Sequence, residues 1–536
     1  MEIEQQTSEL VAHYQSGRLT DAEKLARSII RDFPDHNFAW KVLSAVLRTT
    51  GRMSEALEAS QKTVTISPQD AAAHSNLGII LKELGQLDEA KESFIRAITL
   101  KNDFAEGHNN LGVTQKDLGN LSEAEASLRQ AIFLKTNYAE AHNNLGVTLH
   151  EQGRLDEAEE SLRQAISLKP DYAEAHDNLG NALQGLRRLK EAEVSYMQAI
   201  TLKPDYAKAR SNLGVALREL GRLEEAEATL AQAIKLKADY AEAYSNLGNT
   251  LHDLGKLDEA KANLTKAVAL KPDFAEALWN LYGVQNTIGE AEDWIDRCLA
   301  ADQNYLKAKL TKAALRFYRG DRRKFDLLMQ SEQKQHPYAR SFSWVFSLPK
   351  LPELYFSRWH FFDAIVKKSV RSRPFYEFGV WKASSFNYLI KAFKKGYGFD
   401  TFTGLPEDWY GSDGNVAQPA GTYTNEGNVP EIEGGEFIVG KFEDTLPTFF
   451  SESRPIASLV NFDADLYSST ICALNFSKSV IDADTVLIFD ELIMNESWEQ
   501  DEFKALNEFC SVNRLSYEVV AISFFTKQVA VKLINS

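Results

Sequence analysis

The stretch AEAHNNLGVTLHEQGRLDEAEESLRQAISLKPDY, residues 139–172, decides the fold of the first half of the chain. Related stretches begin in register at positions 71, 105, 173, 207 and 241, which gives a repeat period of 34 residues. Two more divergent copies begin at positions 3 and 37, so that eight units fill residues 3–274. Each unit has two segments of helical periodicity separated by a turn such as Gly153-Arg154-Leu155. The sequence therefore predicts eight helical hairpins.

Small residues recur where the two helices of a hairpin must approach each other. Six units carry a glycine in the first helix and an alanine in the second: Gly78, Gly112, Gly146, Gly180, Gly214 and Gly248, with Ala90, Ala124, Ala158, Ala192, Ala226 and Ala260. A larger side chain at these positions would separate the helices. With the prolines near the unit ends, this pattern resembles the tetratricopeptide repeat. The resemblance implies an all-α right-handed superhelix with a concave inner wall.

An asparagine stands at the sixth place of successive units, at Asn76, Asn110, Asn144, Asn178, Asn212, Asn246 and Asn280. Helix propensity does not favour asparagine there. The repeats resemble those of O-GlcNAc transferase, in which asparagines at the matching place hold the backbone of an extended peptide. An amide suits that role because it both donates and accepts hydrogen bonds. The resemblance implies a protein or peptide partner in the concave face, and the alternative is that these side chains bond neighbouring helices or water.

The repeat period blurs after residue 274, although helical periodicity continues to about Gln330. We interpret residues 275–331 as a degenerate repeat and capping helices. Three prolines then interrupt the helical pattern within QKQHPYARSFSWVFSLPKLPEL, residues 333–354. We therefore place a domain boundary near 332 and assign residues 332–536 to a second domain.

The second domain begins with a predicted covering helix at 354–370, after which strand-like and helix-like segments alternate. Seven strands are predicted, the last two as an antiparallel pair, at 374–380, 396–402, 436–442, 457–463, 485–491, 516–522 and 527–533. This alternation predicts a doubly wound, Rossmann-like α/β sheet. In such sheets ligands bind beyond the carboxyl ends of the strands.

Glycine and acidic residues stand at the ends of the first two of these strands. Glu377 and Gly379 precede a tight turn into a helix, an arrangement that lets a cofactor lie against backbone. Asp400 ends the second strand, where a carboxylate can accept both hydroxyls of a ribose. Ala383 stands in the turn, which lacks the full G-x-G-x-x-G pattern, and this disfavours a nicotinamide cofactor.

Four carboxylates fall at the ends of two neighbouring predicted strands: Asp463 and Asp465 in NFDADLYSST (461–470), and Asp490 and Glu491 in LIFDEL (487–492). Such a group repels itself unless a cation or raised pKa values relieve it. Oxygen ligands without histidine or cysteine suit Mg²⁺ or another hard divalent ion. The alternative is that these residues are solvated loop acids or helix caps.

Five motifs together resemble the macrocin O-methyltransferase family over about 370–510: EFGVWKASSFNYL, FDTFTGLPEDW, VGKFEDTLPTFF, NFDADLYSST and IFDEL. Members are class I enzymes that use S-adenosylmethionine and a divalent metal. The resemblance implies that Glu377 and Gly379 belong to the cofactor loop and that Asp400 binds the ribose. It further implies that Asp463, Asp490 and Glu491 hold the metal and that Asp465 is the general base.

The resemblance implies metal-assisted methylation of a hydroxyl on a sugar or other vicinal diol, carried by a glycan or small molecule. The chain departs from the family at Ala383, Ala464 and Glu491. The segment 411–435, which we interpret as a substrate lid, is shorter than in antibiotic-tailoring members and leaves the acceptor open.

Two other functions fit parts of the sequence. Asp463-Ala464-Asp465 satisfies the D-x-D pattern of metal-dependent glycosyltransferases, although that short pattern is common by chance. Alternatively, the whole chain is a non-catalytic interaction scaffold, since repeat arrays are interaction surfaces by default.

Composition argues against nucleic acid as a partner and indicates the cellular compartment. The 60 basic residues against 76 acidic ones give a net charge of −16, so that the average surface repels nucleic acid. The cysteines Cys298, Cys472 and Cys510 are odd in number and widely spaced, which predicts buried free thiols in a reducing compartment. Neither a signal sequence nor a membrane span is apparent. We expect a cytoplasmic protein.

Overall fold

The computed structural model describes residues 2–410 and 416–535. Two compact units divide the chain, Met1–Ala216 and Leu217–Ser536. The boundary predicted near 332 falls inside the second unit. The domain limits proposed from the sequence therefore stay predictions.

Paired α-helices make up the first unit, and after the second pair each pair begins 34 residues after the one before it. The helices are α1 (Glu2–Gln15), α2 (Leu19–Asp32), α3 (Asn37–Thr49), α4 (Met53–Ile66), α5 (Ala71–Glu83), α6 (Leu87–Leu100), α7 (Ala105–Asp117), α8 (Leu121–Leu134), α9 (Ala139–Glu151), α10 (Leu155–Leu168), α11 (Ala173–Gly185), α12 (Leu189–Leu202) and α13 (Ala207–Glu219), whose last turn belongs to the second unit. The predicted helical hairpins are confirmed here.

Four glycines of the first unit lie against the partner helix of their hairpin, as predicted: Gly78, Gly112, Gly146 and Gly180. A Cβ atom built on Gly146 would stand 2.5 Å from Cγ of Leu162, which is fully buried on α10. The turn between the two helices needs a left-handed residue, and Gly153 supplies it with φ of 77°. Arg187 adopts φ of 61° at the corresponding turn of the next unit, so this turn geometry persists without glycine.

The second unit begins with further helical hairpins and continues into mixed α/β structure. Its helices are α14 (Leu223–Leu236), α15 (Ala241–Asp253), α16 (Leu257–Leu270), α17 (Ala275–Gly283), α18 (Ile288–Ala301), α19 (Leu306–Tyr318), α20 (Arg323–Leu328), α21 (Pro337–Ser347), α22 (Arg358–Lys368), α23 (Ser384–Phe393), α24 (Phe442–Phe449), α25 (Tyr467–Ser477) and α26 (Glu502–Asn513), with a 3₁₀ turn at Glu332–Gln335.

Two helices near the predicted boundary correct the sequence interpretation. Pro337 begins α21 instead of interrupting a helix, because a proline is tolerated in the first turn, where its missing N–H has no partner to lose. The predicted helix at 354–370 is shorter and begins only at Arg358. Ser357 Oγ accepts the amide of Trp359 at 3.3 Å and so caps α22.

Ten strands are present among the described residues: β1 (Glu353–Tyr355), β2 (Phe375–Phe378), β3 (Gly396–Asp400), β4 (Trp409–Tyr410), β5 (Val416–Gln418), β6 (Gly435–Val439), β7 (Leu459–Phe462), β8 (Val486–Phe489), β9 (Leu515–Ser523) and β10 (Val529–Asn535). Eight form one sheet in the order β1-β9-β10-β8-β7-β2-β3-β6, and β4 pairs with β5 separately. All seven predicted strands are found, and β9 and β10 are antiparallel as predicted.

The sheet has eight strands and not the predicted seven. The added strand, β1, pairs in parallel with β9, where Leu354 stands opposite Ile522. The sequence pattern did not reveal β1 because three residues are too few to show the alternation that marks a strand. The sheet is mostly parallel, and β10 runs antiparallel to both of its neighbours.

The strand order reverses beside β2. From β2 the chain moves outward to β3 and β6, and it then returns to β7 on the other side of β2. The connections that leave β2 and β7 therefore diverge at the carboxyl edge of the sheet. In open α/β sheets, ligands bind in the crevice beyond the carboxyl ends of the strands at such a reversal. The mostly parallel sheet fits the α/β class that the sequence predicted, and the Rossmann-like assignment stays a prediction.

Within the second unit, the helical hairpins pack directly on the α/β elements. Trp359 Nε1 on α22 donates a hydrogen bond to the carbonyl oxygen of His252 on α15 at 2.6 Å. The fully buried ring of Tyr282 on α17 contacts Phe356 and Phe525, with ring centroids 5.4 and 5.6 Å away. The last hairpins and the sheet thus share one apolar core.

The structure describes the environment of the three cysteines and the length and polarity of the helices. Cys298 and Cys510 are buried, as predicted, whereas Cys472 is only half-buried and lines a cavity at the sheet edge. Within residues 2–410 and 416–535, none of the helices is long and apolar enough to cross a membrane.

Candidate functional site

A cavity of about 430 Å³ lies at the carboxyl edge of the sheet in the second unit. Its walls come from the segments that follow β2, β3, β7 and β8, and from the first residue of α22. Both acidic and basic side chains line it. The volume falls in the range of about 300–1,000 Å³ that small-molecule sites occupy. The sequence predicted a ligand beyond the carboxyl ends of the strands, and the cavity lies there, beside the reversal of the strand order.

Gly379 follows β2 at the narrowest point of this edge. A Cβ atom on Gly379 would stand 1.9 Å from the carbonyl oxygen of Asp463, and the residue has φ of 87°. Any larger residue would collide with backbone and strain its own dihedral angles. The loops after β2 and β7 can therefore approach each other only because position 379 is glycine. The sequence predicted that a cofactor lies against this loop, and that role of the loop stays a prediction.

Asp400 ends β3 and faces the loop that follows β2. Its Oδ2 accepts the backbone N–H groups of Val380 and Trp381 at 2.7 and 2.8 Å, and its Oδ1 accepts that of Phe402 at 2.6 Å. The carboxylate thus fixes the glycine loop and also lines the cavity. Asp400 stands at the end of β3, where the sequence placed it, and its role as a ribose ligand stays a prediction. Its bonds to the glycine loop are a role that the sequence did not reveal.

Glu377 lies inside β2, one strand residue before the loop. Its side chain is 1% exposed, opposite Asn461 of β7, and the described cavity lining does not include it. Burial first, and then the nearby Asp463, raise the pKa of Glu377 well above its usual range. The side chain of Glu377 is therefore buried inside the sheet and, unlike Gly379, does not line the cavity.

Asp463 and Asp465 follow β7 and both line the cavity. Burial is the main cause that raises the pKa of each carboxyl, and neighbouring acids add to it: Asp490 for Asp463, and Asp463 for Asp465. Asp465 also has φ of 58°, which is uncommon for a residue with a side chain. Strained residues with perturbed pKa values are typical of functional sites.

Asp490 follows β8 and has a partner at each carboxylate oxygen. Arg358 Nη2 donates to Oδ2 at 2.6 Å, and Gln528 Nε2 donates to Oδ1 at 2.6 Å. Glu491 beside it accepts from Lys527 Nζ at 3.1 Å. Two of the three predicted metal ligands are therefore paired with cationic side chains.

The predicted divalent ion can be tested against this arrangement. Among the described residues, no three histidine, cysteine, aspartate or glutamate side chains gather closely enough to hold a metal ion. The carboxylates of Asp490 and Glu491 bond Arg358 and Lys527 instead. The residues as arranged do not fit a three-carboxylate centre, and Mg²⁺ at this position stays a prediction.

The predicted lid, residues 411–435, is described from 416 onward, and residues 411–415 lie outside the described part of the chain. Tyr423 of this segment lines the cavity. Trp381, in the glycine loop, meets the Tyr423 ring edge-on at 5.5 Å and donates from Nε1 to the carbonyl oxygen of Thr424 at 3.2 Å. The segment is therefore tied to the loop that follows β2.

Sequence reasoning missed the basic residues of this site. Arg358 precedes the five family motifs, and Lys527 follows them, so neither stood in a pattern that pointed to a ligand. Trp381 was read only as part of a tight turn. One signal in the sequence could have indicated them. Several carboxylates are predicted at neighbouring strand ends, and buried carboxylates need positive charges nearby.

The asparagine column of the first unit connects neighbouring repeats. Three of its amides donate to a residue 35 positions earlier: Asn144 to Asn109 at 3.0 Å, Asn178 to Asn143 at 2.9 Å, and Asn212 to Asp177 at 2.8 Å. These contacts agree with the alternative in which the side chains bond neighbouring helices. The side chains of Asn110, Asn144, Asn178 and Asn212 are half-buried, and that of Asn76 is exposed. An amide oxygen has two acceptor positions, so one hydrogen bond does not exhaust it.

Comparison with known families identifies the repeats. The family described as TPR repeat matches residues 78–119, 116–153, 148–186 and 214–255, and families described as Tetratricopeptide repeat match 9–71, 173–206, 195–228 and 241–274. These segments are therefore tetratricopeptide repeats, as the sequence predicted. Such repeats indicate a protein-interaction scaffold.

Solved structures of repeat proteins resemble parts of the chain. The APC/C hetero-tetramer Cut9–Hcn1 has 18% identity over 50% of this chain and 53% of that chain, with a TM-score of 0.42. YrrB, a TPR protein with an unusual peptide-binding site, has 25% identity over 35% and 97%, with a TM-score of 0.29. TTC0263, a thermophilic TPR protein in Thermus thermophilus, has 26% identity over 34% and 98%, with a TM-score of 0.31. The chain thus spans about half of the Cut9–Hcn1 chain that it matches. No curated protein matches the chain in sequence.

Proposed function

We propose that the second unit is an S-adenosylmethionine-dependent O-methyltransferase, with the cavity at the sheet edge as its cofactor site. The observation that carries this proposal is the approach of Gly379 to the backbone of Asp463 at the strand-order reversal. A loop with no side chain at that point leaves room for a cofactor against backbone. The five sequence motifs that resemble macrocin O-methyltransferases supply these same residues.

The strand order adds independent support. Numbered along the chain from β2, the parallel strands β6-β3-β2-β7-β8 read 3-2-1-4-5, the doubly wound order in which nucleotide-like cofactors bind beside strand 1. Asp400 ends the second of these strands, at the place where an acid accepts ribose hydroxyls. The cavity has the volume, the glycine and the acid that an adenosine-containing cofactor needs.

The roles of the residues follow from their positions. S-adenosylmethionine supplies, when bound, a methyl group on a sulfonium, whose sulfur–carbon bond would break on transfer and leave the neutral thioether S-adenosylhomocysteine. Asp400 would accept the ribose hydroxyls while it holds the amides of Val380 and Trp381. Asp465 would take the proton of the acceptor hydroxyl onto a carboxylate oxygen as the new oxygen–carbon bond forms. Because its pKa is raised, its ionised form is a stronger proton acceptor than an ordinary aspartate.

The tetratricopeptide repeats complete the proposal. We propose that they recruit a protein or peptide partner, and that the methyl acceptor is a hydroxyl of a glycan or small molecule. The repeats are an interaction scaffold, and their half-buried asparagines retain acceptor oxygens along successive helices. We also propose that the protein works in the cytoplasm, because its cysteines are free thiols.

Calorimetric titration of S-adenosylhomocysteine into the full chain tests the methyltransferase. We expect binding in the wild type and at least about tenfold weaker binding in Asp400→Ala, because both a ligand and the loop anchor are lost. Asp482→Ala is the matched control, since Asp482 pairs with Arg373 before β8 and does not line the described cavity. Circular dichroism verifies that each variant is folded.

Other outcomes would favour the competing functions. Binding of UDP-GlcNAc in place of S-adenosylhomocysteine would favour a glycosyltransferase that uses Asp463 and Asp465. Binding of neither compound would leave the interaction scaffold as the function of the whole chain.

A further inference from the structure

We propose that the guanidinium of Arg358 is the built-in counter-ion of the strand-end carboxylates, in the place where the family resemblance puts a divalent metal. This inference rests on the proposed cofactor site, and it adds that this site needs no metal ion. Arg358 is then a positioning residue, because it acts through Asp490 and not on the acceptor.

The start of α22 is held firmly enough to place this side chain. Trp359, beside Arg358, is 6% exposed and donates its indole N–H to His252 on α15. Its ring also packs on Tyr388 of α23, with centroids 4.8 Å apart. Two helices therefore fix the residue next to Arg358, and the guanidinium reaches the cavity from an anchored backbone.

The contacts of Asp490 leave little room for a metal at that carboxylate. Arg358 and Gln528 bond its two oxygens at 2.6 Å each, and Asp490 is 6% exposed. A divalent ion at this carboxylate would compete with the guanidinium of Arg358 for Oδ2 of Asp490, and two cations at one carboxylate repel each other. The Arg358 side chain is 28% exposed and that of Asp490 9%, so the pair is only partly screened by water.

A second cation strengthens this arrangement. Lys527 Nζ bonds the carboxylate of Glu491, and it precedes Gln528 in the turn between β9 and β10. Neighbouring residues of one turn thus pair both Asp490 and Glu491. The absence of a three-ligand group among the described residues agrees with this pairing.

The surrounding acids keep Arg358 charged. Burial lowers the pKa of the guanidinium, but Asp490 and then Asp463 raise it, so that the pKa lies above its ordinary value. Asp253, at the end of α15, contributes in the same direction. Asp253 in turn pairs with Arg218 at 3.0 Å. One permanent positive charge therefore stands among the strand-end carboxylates, and helices of the repeat type contribute to its setting.

Titration of Mn²⁺ into the full chain, followed by electron paramagnetic resonance of the free ion, tests the inference. We expect no stoichiometric binding to the wild type or to Arg358→Lys, which keeps the charge. Arg358→Met removes the competing cation, and we expect it to raise Mn²⁺ affinity at least about tenfold. The double variant with Asp490→Asn should lose that gain. Arg373→Met, which breaks the Arg373–Asp482 pair elsewhere in the unit, should behave as the wild type.

Two results would overturn the inference. The first is tight Mn²⁺ binding by the wild type that disappears in Asp490→Asn, and this test does not depend on the folding of any Arg358 variant. The second is a folded Arg358→Met protein that gains no affinity for Mn²⁺.

A parallel titration of S-adenosylhomocysteine separates this inference from the proposed function. Equal affinity with and without EDTA is the expected result, and loss of affinity in EDTA would contradict a metal-free site. If S-adenosylhomocysteine binds in neither buffer, the methyltransferase proposal fails, while the Mn²⁺ titrations still decide the role of Arg358.

Discussion

Gly146 in the repeats and Gly379 beside the cavity both stand where a side chain would collide, but the obstacles differ. A Cβ on Gly146 would meet Cγ of Leu162 at 2.5 Å, whereas one on Gly379 would meet the carbonyl oxygen of Asp463 at 1.9 Å. The Cβ on Gly146 would also stand 3.2 Å from the carbonyl oxygen of Ala158. A leucine can change its rotamer, and a contact of 3.2 Å needs only a small backbone shift, whereas the contact at Gly379 needs a large one. Close packing is therefore more tolerant in the repeats than at the candidate site.

The two regions also differ in how far apart their partners lie in the chain. Asn178 and Asn143 of the repeats are 35 residues apart, while Arg358 and Asp490 are separated by 132 residues. Contacts between neighbouring repeats recur with the period, so a change in one unit affects mainly its neighbours. The site depends on distant segments that must all be in place together.

Gly379→Ala is the substitution with the largest expected effect on ligand binding. The added Cβ meets backbone, and the positive φ strains any residue with a side chain by about 1–3 kcal/mol. We expect calorimetry to detect no binding of S-adenosylhomocysteine. Gly146→Ala is the matched control and should leave that binding unchanged. Wild-type affinity in Gly379→Ala would show that the ligand does not use this loop.

Leu162→Ala is expected to have the largest effect on the stability of the repeats. Leu162 is fully buried, and removal of such a side chain costs about 2–5 kcal/mol. Urea unfolding followed by circular dichroism should show an earlier transition for the first unit, while S-adenosylhomocysteine binding persists. Leu327→Ala, at a side chain 67% exposed, should change stability by less than about 0.5 kcal/mol. Equal effects of the two substitutions would contradict the described packing.

Trp359→Phe should have an intermediate effect within the second unit. It removes the buried indole donor and leaves the carbonyl of His252 without that partner, at a cost of about 1–3 kcal/mol. Trp40→Phe is the control, because its indole bonds the carbonyl of Pro34 at 2.7 Å in an exposed place where water can substitute. Hydrogen exchange of α15 and α22 should increase in Trp359→Phe alone. Unchanged exchange in these helices would show that the contact does not anchor α22.

Asp70→Ala is expected to have the smallest effect of the four. Asp70 caps α5 by accepting the amides of Ala72 and Ala73 at 3.0 and 3.2 Å, and loss of such a cap costs about 1 kcal/mol. Asp70→Ser retains a capping oxygen and should lose less. Thermal unfolding of the full chain measures the differences.

The contribution of Asp70 should also depend on pH. Burial by itself would raise the pKa of this carboxyl, but Lys41 and then the Ala73 amide lower it below its usual value of 3.8. A depressed folded-state pKa stabilises the protein above the unfolded-state pKa and loses that effect as the pH falls. The difference between the wild type and Asp70→Ala should therefore hold nearly constant from pH 7 to about pH 5 and narrow as the pH falls below 3.8. A difference that stays constant below pH 3.8 as well would show that the charge of Asp70 does not contribute.

Sequence periodicity was sufficient for the repeats and for the strands. A unit of 34 residues contains both helices of a hairpin and the turn between them. The sequence of one unit is therefore enough to predict the whole hairpin. The predicted strands were recovered because each is a short apolar run bounded by polar residues, as β7 and β8 are. The strand β1 and the helix α21 were not predicted, because one is too short to show a pattern and the other begins with a proline.

The sequence by itself determined the repeats, the alternation of strands and helices, and the acids at the strand ends, because these are properties of neighbouring residues. Only the tertiary structure decided what these acids contact. Asp400 holds the glycine loop, Asp490 bonds Arg358, and Glu491 bonds Lys527. The physical reason is that a charge is compensated by whichever opposite charge the fold brings within a few ångströms. No local pattern encodes which distant residue that is.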